Sequence, residues 1–274
     1  MKSYPSLAQG WALFLIYVLF TALATFLVMA ISGNGLEGSS ASFLLAYTLA
    51  GLFTILYGIL KSGQRLVPVI GEISKSSYLI FPLSLISALL IGAIVNPLAT
   101  LIPGSEILDE MLRGANIKDD WTSFVALAVA APIIEEFLFR GIILEGFLKN
   151  YDPKRAIIQS SAIFGVFHLN PWQFLIAFAL GLLLGWLYYR TRSLLPCLFV
   201  HFGNNLLAFL AYIYIEDDGK TLFDLFPIPY IVLGIILAGV GLYFGIKALD
   251  KLMAPEQQLI EINSEENEPE TETE

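Results

Sequence analysis

Strongly polar side chains are rare within the long apolar stretches of this sequence, and those present have types suited to acid–base chemistry. They are Glu135, Glu136, Arg140, His168, His201 and Asn205. An ionisable side chain at membrane depth is costly unless it is partnered, so such residues usually mark a functional site. The two histidines are the only ones in the chain. We therefore expect these residues to lie close together at one site.

Helical spacing divides these residues into pairs. Glu136 and Arg140 are four residues apart with the glutamate first, the favourable order for an ion pair on one helix face. Glu135 lies about 100° around the helix from Glu136, so it needs a different partner. His201 and Asn205 are also four residues apart and project toward the same neighbour. Because Glu136 pairs with Arg140, Glu135 is the carboxylate left to act as a general base.

Two chemistries fit these residue types. In one, Glu135 and His168 activate a water molecule while His201 and Asn205 donate hydrogen bonds to an oxyanion. In the other, Glu135, His168 and His201 hold a zinc ion with water in the fourth position. Asn205 is a poor zinc ligand, which favours its oxyanion role. The motifs HExxH, GxSxG and GD do not occur, so common zinc, serine and aspartyl hydrolase signatures give no support.

The composition predicts the elements that must position these residues. The chain is 57% hydrophobic and 14% charged, with a mean hydropathy of +0.73. Repeated apolar runs of about 20 residues indicate an all-α polytopic membrane protein. We predict about eight transmembrane helices, at 10–31, 41–60, 78–102, 121–149, 156–168, 172–190, 195–215 and 227–249. The first run is too long for a signal peptide and suits an uncleaved span.

The distribution of positive charge predicts the orientation. Of the fifteen Lys and Arg residues, eleven fall in loops on the side of the N-terminus. This bias favours both termini in the cytoplasm and an even number of spans. We separately predict that the protein is an integral protein of the plasma membrane. Arg190 and Arg192 are best interpreted as such orientation charges. On the opposite side, 103–120 could form an amphipathic surface helix.

The chain divides into a membrane domain at 1–254, with a catalytic core at about 121–210, and a tail at 255–274. Eight glutamates after Ala254 account for most of the net charge of −9, and the tail is predicted to be disordered. No basic surface suggests nucleic acid as a partner.

Three smaller features have structural interpretations. Cys197, the single cysteine, cannot form an internal disulfide and suits a small apolar filler. Pro132 lies one turn before Glu135 and is expected to kink the helix and open its backbone near the site. Gly181 and Gly185 form a GxxxG pattern, which favours close helix packing.

Three motifs resemble those of a known family. EEFLFRG at 135–141 is similar to the EExxxR motif of the CPBP (CAAX protease and bacteriocin-processing, or ABI) family, which contains the type II CAAX prenyl endopeptidases. FGVFH at 164–168 resembles its FxxxH motif, and 181–205 resembles a third region that ends in HxxxN. The order and spacing match, and the resemblance covers about 121–210.

The resemblance implies an intramembrane endopeptidase with an eight-helix all-α fold. It makes Glu135 the catalytic glutamate, His168 its partner in water activation, and His201 and Asn205 the oxyanion donors. Glu136 and Arg140 would have supporting roles. The family has been described both as metalloproteases, which would use Zn²⁺, and as metal-free glutamate enzymes. The implied partners are membrane lipid and a peptide or protein substrate that is membrane-anchored or lipidated, with prenylated CAAX proteins as the eukaryotic case.

Two other functions compete with this hypothesis. A non-proteolytic scaffold or regulator of the bacteriocin-immunity type would keep the motif for structure, and an ion-coupled transporter would use the glutamates and histidines as a proton relay.

The predicted membrane depths of the two histidines conflict with each other. His201 lies six residues into its span, roughly 9 Å from the cytoplasmic edge, while His168 ends a span on its outer half. We expect a site in the cytoplasmic half, open to the cytoplasm.

Overall fold

A computed structural model describes residues 3–32, 40–63, 78–102, 121–214 and 222–253. Regular structure in these ranges is entirely helical, which confirms the all-α class. The helices are α1 (Leu7–Ser32), α2 (Ser40–Ser62), α3 (Ile80–Ala99), α4 (121–150), α5 (Pro153–Phe167), α6 (Pro171–Thr191), α7 (Leu195–Tyr214) and α8 (Ile228–Leu252), with a one-turn helix, Leu222–Leu225, before α8. Each predicted span contains a helix, and the boundaries agree within three residues.

Five of these helices are long and apolar enough to cross a membrane: α1, α2, α3, α6 and α8. The other three fall short for separate reasons. α5 has only 15 residues, α4 is divided into short segments, and α7 counts among the shorter apolar helices, over Leu195–Ala211. The chain is thus a polytopic all-α membrane protein, while eight crossing helices stay a prediction.

α4 alternates between α and π geometry. Its α segments are Trp121–Phe124, Ala131–Glu136 and Glu145–Asn150, and its π segments are Val125–Ala130 and Phe137–Leu144. The Ala131 N–H donates to the Ala126 carbonyl, and Pro132 has no N–H to offer the next carbonyl. The predicted opening of the backbone near Pro132 therefore takes the form of a π segment, a feature frequent at functional sites.

The ends of several helices are tied together at one end of the bundle. The Asn150 side chain bonds both the N–H and the carbonyl of Ser3, so α1 begins beside the end of α4. Arg190 pairs with Asp250, which joins the ends of α6 and α8. Arg192 reaches Glu145 on α4 at 3.2 Å. The N-terminus of α1 and the C-terminus of α8 thus lie at the same end of the bundle, as an even number of spans requires. That this end faces the cytoplasm stays a prediction.

Helices α5 and α6 pack closely at Gly181 and Gly185, as the GxxxG pattern predicts. A Cβ on Gly181 would lie 3.1 Å from the Cβ of Ser161, and one on Gly185 would lie 3.1 Å from Ile157. Cys197 is fully buried, and its thiol donates to the Leu184 carbonyl at 3.3 Å, which agrees with its interpretation as a filler. The predicted surface helix at 103–120 and acidic tail at 255–274 lie outside the described residues.

Candidate active site

The Glu136–Arg140 pair forms within α4 as its spacing predicts. Nη1 of Arg140 donates to Oε1 of Glu136 at 3.0 Å, and the side chains are 0% and 1% exposed. Nη2 of Arg140 also donates to the Gly181 carbonyl at 3.3 Å. The guanidinium lies 4.6 Å from the ring centroid of Phe164. The pair therefore joins α4 to α5 and α6 as well as offsetting two buried charges.

His201 on α7 lies between the two glutamates. Its Nδ1 is 2.6 Å from Oε1 of Glu136, and its Nε2 is 3.7 Å from Oε2 of Glu135. An ionised carboxylate only accepts hydrogen bonds, so Nδ1 of His201 carries the hydrogen of the short contact. Glu136 thereby orients the imidazole so that Nε2 faces Glu135.

Glu135 uses its two oxygens differently. Oε1 accepts a hydrogen bond from the phenol of Tyr47 on α2 at 2.6 Å. Oε2 is buried and has no hydrogen-bond partner within the described ranges. As predicted, the adjacent glutamates have different hydrogen-bond partners, Tyr47 for Glu135 and Arg140 for Glu136, although both also face His201. The free oxygen faces the imidazole of His201.

His168 caps the C-terminal end of α5. Its Nδ1 is 2.9 Å from the Phe164 carbonyl, which can only accept a hydrogen bond, so Nδ1 is the donor. The ring of Phe164 contacts both imidazoles, with centroid distances of 5.2 Å to His168 and 5.7 Å to His201. His168 thus lies beside the site. Its described hydrogen bond is made to a backbone carbonyl and not to a glutamate.

Asn205 makes a contact that the sequence did not reveal. Its Nδ2 donates to the Leu127 carbonyl at 2.9 Å. This carbonyl lies in the first π segment, where Ala131 bonds to Ala126 and Pro132 has no N–H, so helix geometry leaves it without a backbone donor. Asn205 satisfies it and ties α7 to α4. The second hydrogen of Nδ2 remains for another acceptor.

The turn between α6 and α7 sets the level of His201 relative to the glutamates of α4. Leu194 Cδ1 lies 3.8 Å from the position of a Cβ on Gly141, and Ser193 and Leu194 are fully buried. α7 therefore begins beside Gly141, in the middle of the second π segment of α4. Gly141 lies roughly 14 Å along α4 from residue 150. The deep turn brings His201 level with the glutamates.

No three His, Cys, Asp or Glu side chains in the described residues are grouped closely enough to hold a metal ion. The contacts fit a carboxylate–imidazole pair formed by Glu135 and His201. The zinc set of Glu135, His168 and His201 stays a prediction from the resemblance.

The site also includes Tyr47, Phe164 and the Gly181 carbonyl, whose roles sequence reasoning missed. Tyr47 is one of twelve tyrosines and lies in an apolar helix, so its residue type gives no signal. Gly51 and Gly58, on the same face of α2, could have indicated close packing there. Phe164 and Gly181 lie within the recognised motif stretches, but the motifs do not show which residues they contact.

These features define a polytopic all-α membrane protein with a buried site of two glutamates, an arginine and an imidazole. Residues 117–207 match the family model described as "Type II CAAX prenyl endopeptidase Rce1-like". The resemblance noted from the motifs is therefore confirmed for this segment, which holds α4, α5, α6 and most of α7.

A curated relative supports the same assignment. The protein named "Putative membrane peptidase YdiL" from Bacillus subtilis (strain 168) is 31% identical over 81 residues, which are 30% of this chain and 33% of that protein. The chain thus matches about a third of the relative's length. No solved structure matches the chain.

Proposed function

We propose that this protein is an intramembrane endopeptidase that hydrolyses a peptide bond in a membrane-anchored or lipidated substrate. One observation carries the proposal. The Glu135 carboxylate is buried, with one oxygen held by Tyr47 and the other free and 3.7 Å from Nε2 of His201. A water molecule at this oxygen would have a proton acceptor on one side and an imidazole on the other.

We infer a proton arrangement for this reaction from charge balance. A buried cluster is most stable when its formal charges cancel. Arg140 offsets Glu136, so neutrality requires Glu135 and His201 to share one proton. When Glu135 is ionised, and therefore able to act as a base, His201 is the imidazolium and its Nε2–H is a donor. The base and the donor then face the same space.

The proposed reaction uses these groups in order. Oε2 of Glu135 takes a proton from water as the water oxygen attacks the peptide carbonyl carbon. The carbonyl oxygen becomes an oxyanion and accepts a hydrogen bond from Nε2–H of His201. The tetrahedral intermediate then collapses, the C–N bond breaks, and Glu135 returns the proton to the leaving amine.

His168 and Asn205 complete the arrangement. Because Nδ1 of His168 bonds the Phe164 carbonyl, its Nε2 is free to accept a hydrogen from the attacking water. Asn205 keeps one Nδ2 hydrogen after bonding Leu127 and offers it to the oxyanion. The substrate class rests on the family description, which names CAAX prenyl endopeptidases. A lipidated or membrane-anchored peptide would reach a site among membrane helices by lateral diffusion.

The test is cleavage of a prenylated CAAX peptide and its unprenylated twin by detergent-purified protein. We expect the wild type to cleave the prenylated peptide, and Glu135→Gln to lower the rate at least a thousandfold because the amide cannot accept the proton. Glu145→Gln is the matched control. It makes the same change on the same helix, where Glu145 pairs with Arg192 and Lys149 instead, and it should stay within a few-fold of wild type.

Each outcome separates the competing functions. Equal cleavage of both peptides would support the chemistry and remove prenyl recognition. No cleavage of either peptide by folded wild type would exclude this substrate. Glu135→Gln then distinguishes the alternatives in cells or vesicles, because a scaffold would keep its function and a proton-coupled transporter would lose pH-driven flux.

A further inference from the structure

Helix α2 lies outside the segment that matches the family model, yet it contributes to the candidate site. Tyr47 donates its phenol hydrogen to Oε1 of Glu135 at 2.6 Å, a short bond of the kind made to an ionised acceptor. The match begins at residue 117, so nothing in the motifs assigns Tyr47 a role. Its contact is nevertheless the one hydrogen bond that the structure gives to the Glu135 carboxylate within the described residues.

Two glycines bring α2 close enough for this bond. A Cβ on Gly51 would lie 2.3 Å from Cγ2 of Ile134, and one on Gly58 would lie 3.0 Å from Cδ1 of Ile142. Tyr47, Gly51 and Gly58 are spaced i, i+4 and i+11, so they share one face of the helix. Side chains at the glycine positions would separate α2 from α4. The glycines therefore set the distance across which Tyr47 reaches Glu135.

Aromatic neighbours hold the phenol in place. The ring of Tyr47 meets Tyr17 on α1 edge to face at 6.0 Å and Phe43 on its own helix at 5.8 Å. Tyr17 in turn packs on Phe167 of α5 at 4.7 Å. A side chain fixed by several rings loses little further freedom when it forms its hydrogen bond. The donor is thus presented to Glu135 in a set direction.

We infer that Tyr47 is a positioning residue for Glu135. It holds one carboxylate oxygen so that the other points toward His201 and the reacting water. The inference rests on the proposed function and deepens it, because the working carboxylate would be oriented from a helix outside the family segment. Without the phenol, Glu135 could rotate and Oε2 would spend less time in the productive direction.

The kinetic test is Tyr47→Phe, which removes one oxygen and keeps the ring. A hydrogen bond to a charged group is worth enough that its loss should lower kcat about 10- to 100-fold. KM should stay within about twofold, because Tyr47 contacts the glutamate rather than the substrate. The matched control is Tyr57→Phe on the same helix. Tyr57 lies under Lys61 at 5.8 Å, a contact that phenylalanine keeps, and both constants should be unchanged.

A double-mutant cycle tests the contact without relying on catalysis. Unfolding equilibria in mixed micelles would be measured for wild type, Tyr47→Phe, Glu135→Ala and the double variant. We expect Tyr47→Phe to shift the unfolding constant by a few-fold to tenfold more in the wild type than in Glu135→Ala, where the bond is already lost. Additive effects would overturn the inference.

The two tests fail in different ways. A wild-type kcat in Tyr47→Phe, with cleavage intact in the parent, would overturn the positioning role and leave the proposed function standing. Coupling in the cycle, with no cleavage of any substrate by wild type, would keep the orientation of Glu135 by Tyr47 and overturn the proposed function.

Discussion

Helices α2 and α8 are similarly apolar and have different surroundings. Both are long and apolar enough to cross a membrane, but 33% of the most apolar stretch of α2 is buried within the protein, compared with 11% in α8. Gly51 of α2 would meet Ile134 if it carried a Cβ, whereas Gly234 and Gly239 of α8 have open space around them. Hydropathy therefore identifies helices suited to the membrane without showing which of them reach the site.

The difference has a physical origin in what each helix must cover. α2 packs against α4, whose buried glutamate needs a donor, and it supplies Tyr47 from a face of small residues. α8 packs mainly against α3 and leaves most of its apolar side chains for lipid. Its ion pair, Asp250 with Arg190, lies at its end, where Asp250 is 56% exposed. Substitutions near α4 should therefore cost far more than matched ones in α8.

The largest effect on stability is expected at Arg140. Arg140→Met leaves Glu136 buried without its cation, and removing one partner of a buried pair typically costs about 3–5 kcal/mol. Arg190→Met, which removes the cation that pairs with α8, should cost less than about 1 kcal/mol because that pair is partly exposed. Unfolding in mixed micelles measures both. Equal losses would remove the contrast between the two regions.

A second substitution tests whether the unpaired charge of Glu136 causes this loss of stability. Adding Glu136→Gln to Arg140→Met removes the unpaired charge, so the double variant should be more stable than Arg140→Met alone. A further loss in the double variant would mean that the two residues act through separate contacts.

The next effect is expected at the glycines. Gly51→Ala forces a methyl group into Ile134, and overpacking typically costs about 1–3 kcal/mol. Gly239→Ala in α8 meets open space and should be neutral or stabilising by up to about 1 kcal/mol. Gly51→Ala should also lower cleavage by the proposed site, since it moves Tyr47 from Glu135, while Gly239→Ala should not. A tolerated alanine at Gly51 would contradict the close packing of α2 on α4.

The smallest effect is expected at the π segment. Asn205→Leu removes the donor to the Leu127 carbonyl, and buried hydrogen bonds between membrane helices are worth about 0.5–2 kcal/mol. Pro132→Ala restores an N–H that can bond this carbonyl. Asn205→Leu should therefore destabilise the Pro132→Ala protein less than the wild type. Identical losses in both backgrounds would show that Pro132 is not the reason the carbonyl needs Asn205.

The helices and the Glu136–Arg140 pair could be predicted because their signals are local. Apolar runs fix where helices form, and i,i+4 spacing fixes which side chains share a face. The contact of Tyr47 could not be predicted, since it joins residues 88 positions apart and depends on how two apolar helices pack. The level of His201 relative to the glutamates could not be predicted for a similar reason, because the length of a span does not show that the preceding turn is buried.

The ring of Phe164 touches the guanidinium of Arg140 and both imidazoles, and the chain has no other histidine. An NMR spectrum with labelled histidine would thus contain two imidazole signal sets, each displaced by the magnetic field of the same aromatic ring. Phe164→Leu should move both sets together. The protein thus carries its own spectroscopic reporter, through which a ligand entering the site could be followed even when no bond is cleaved.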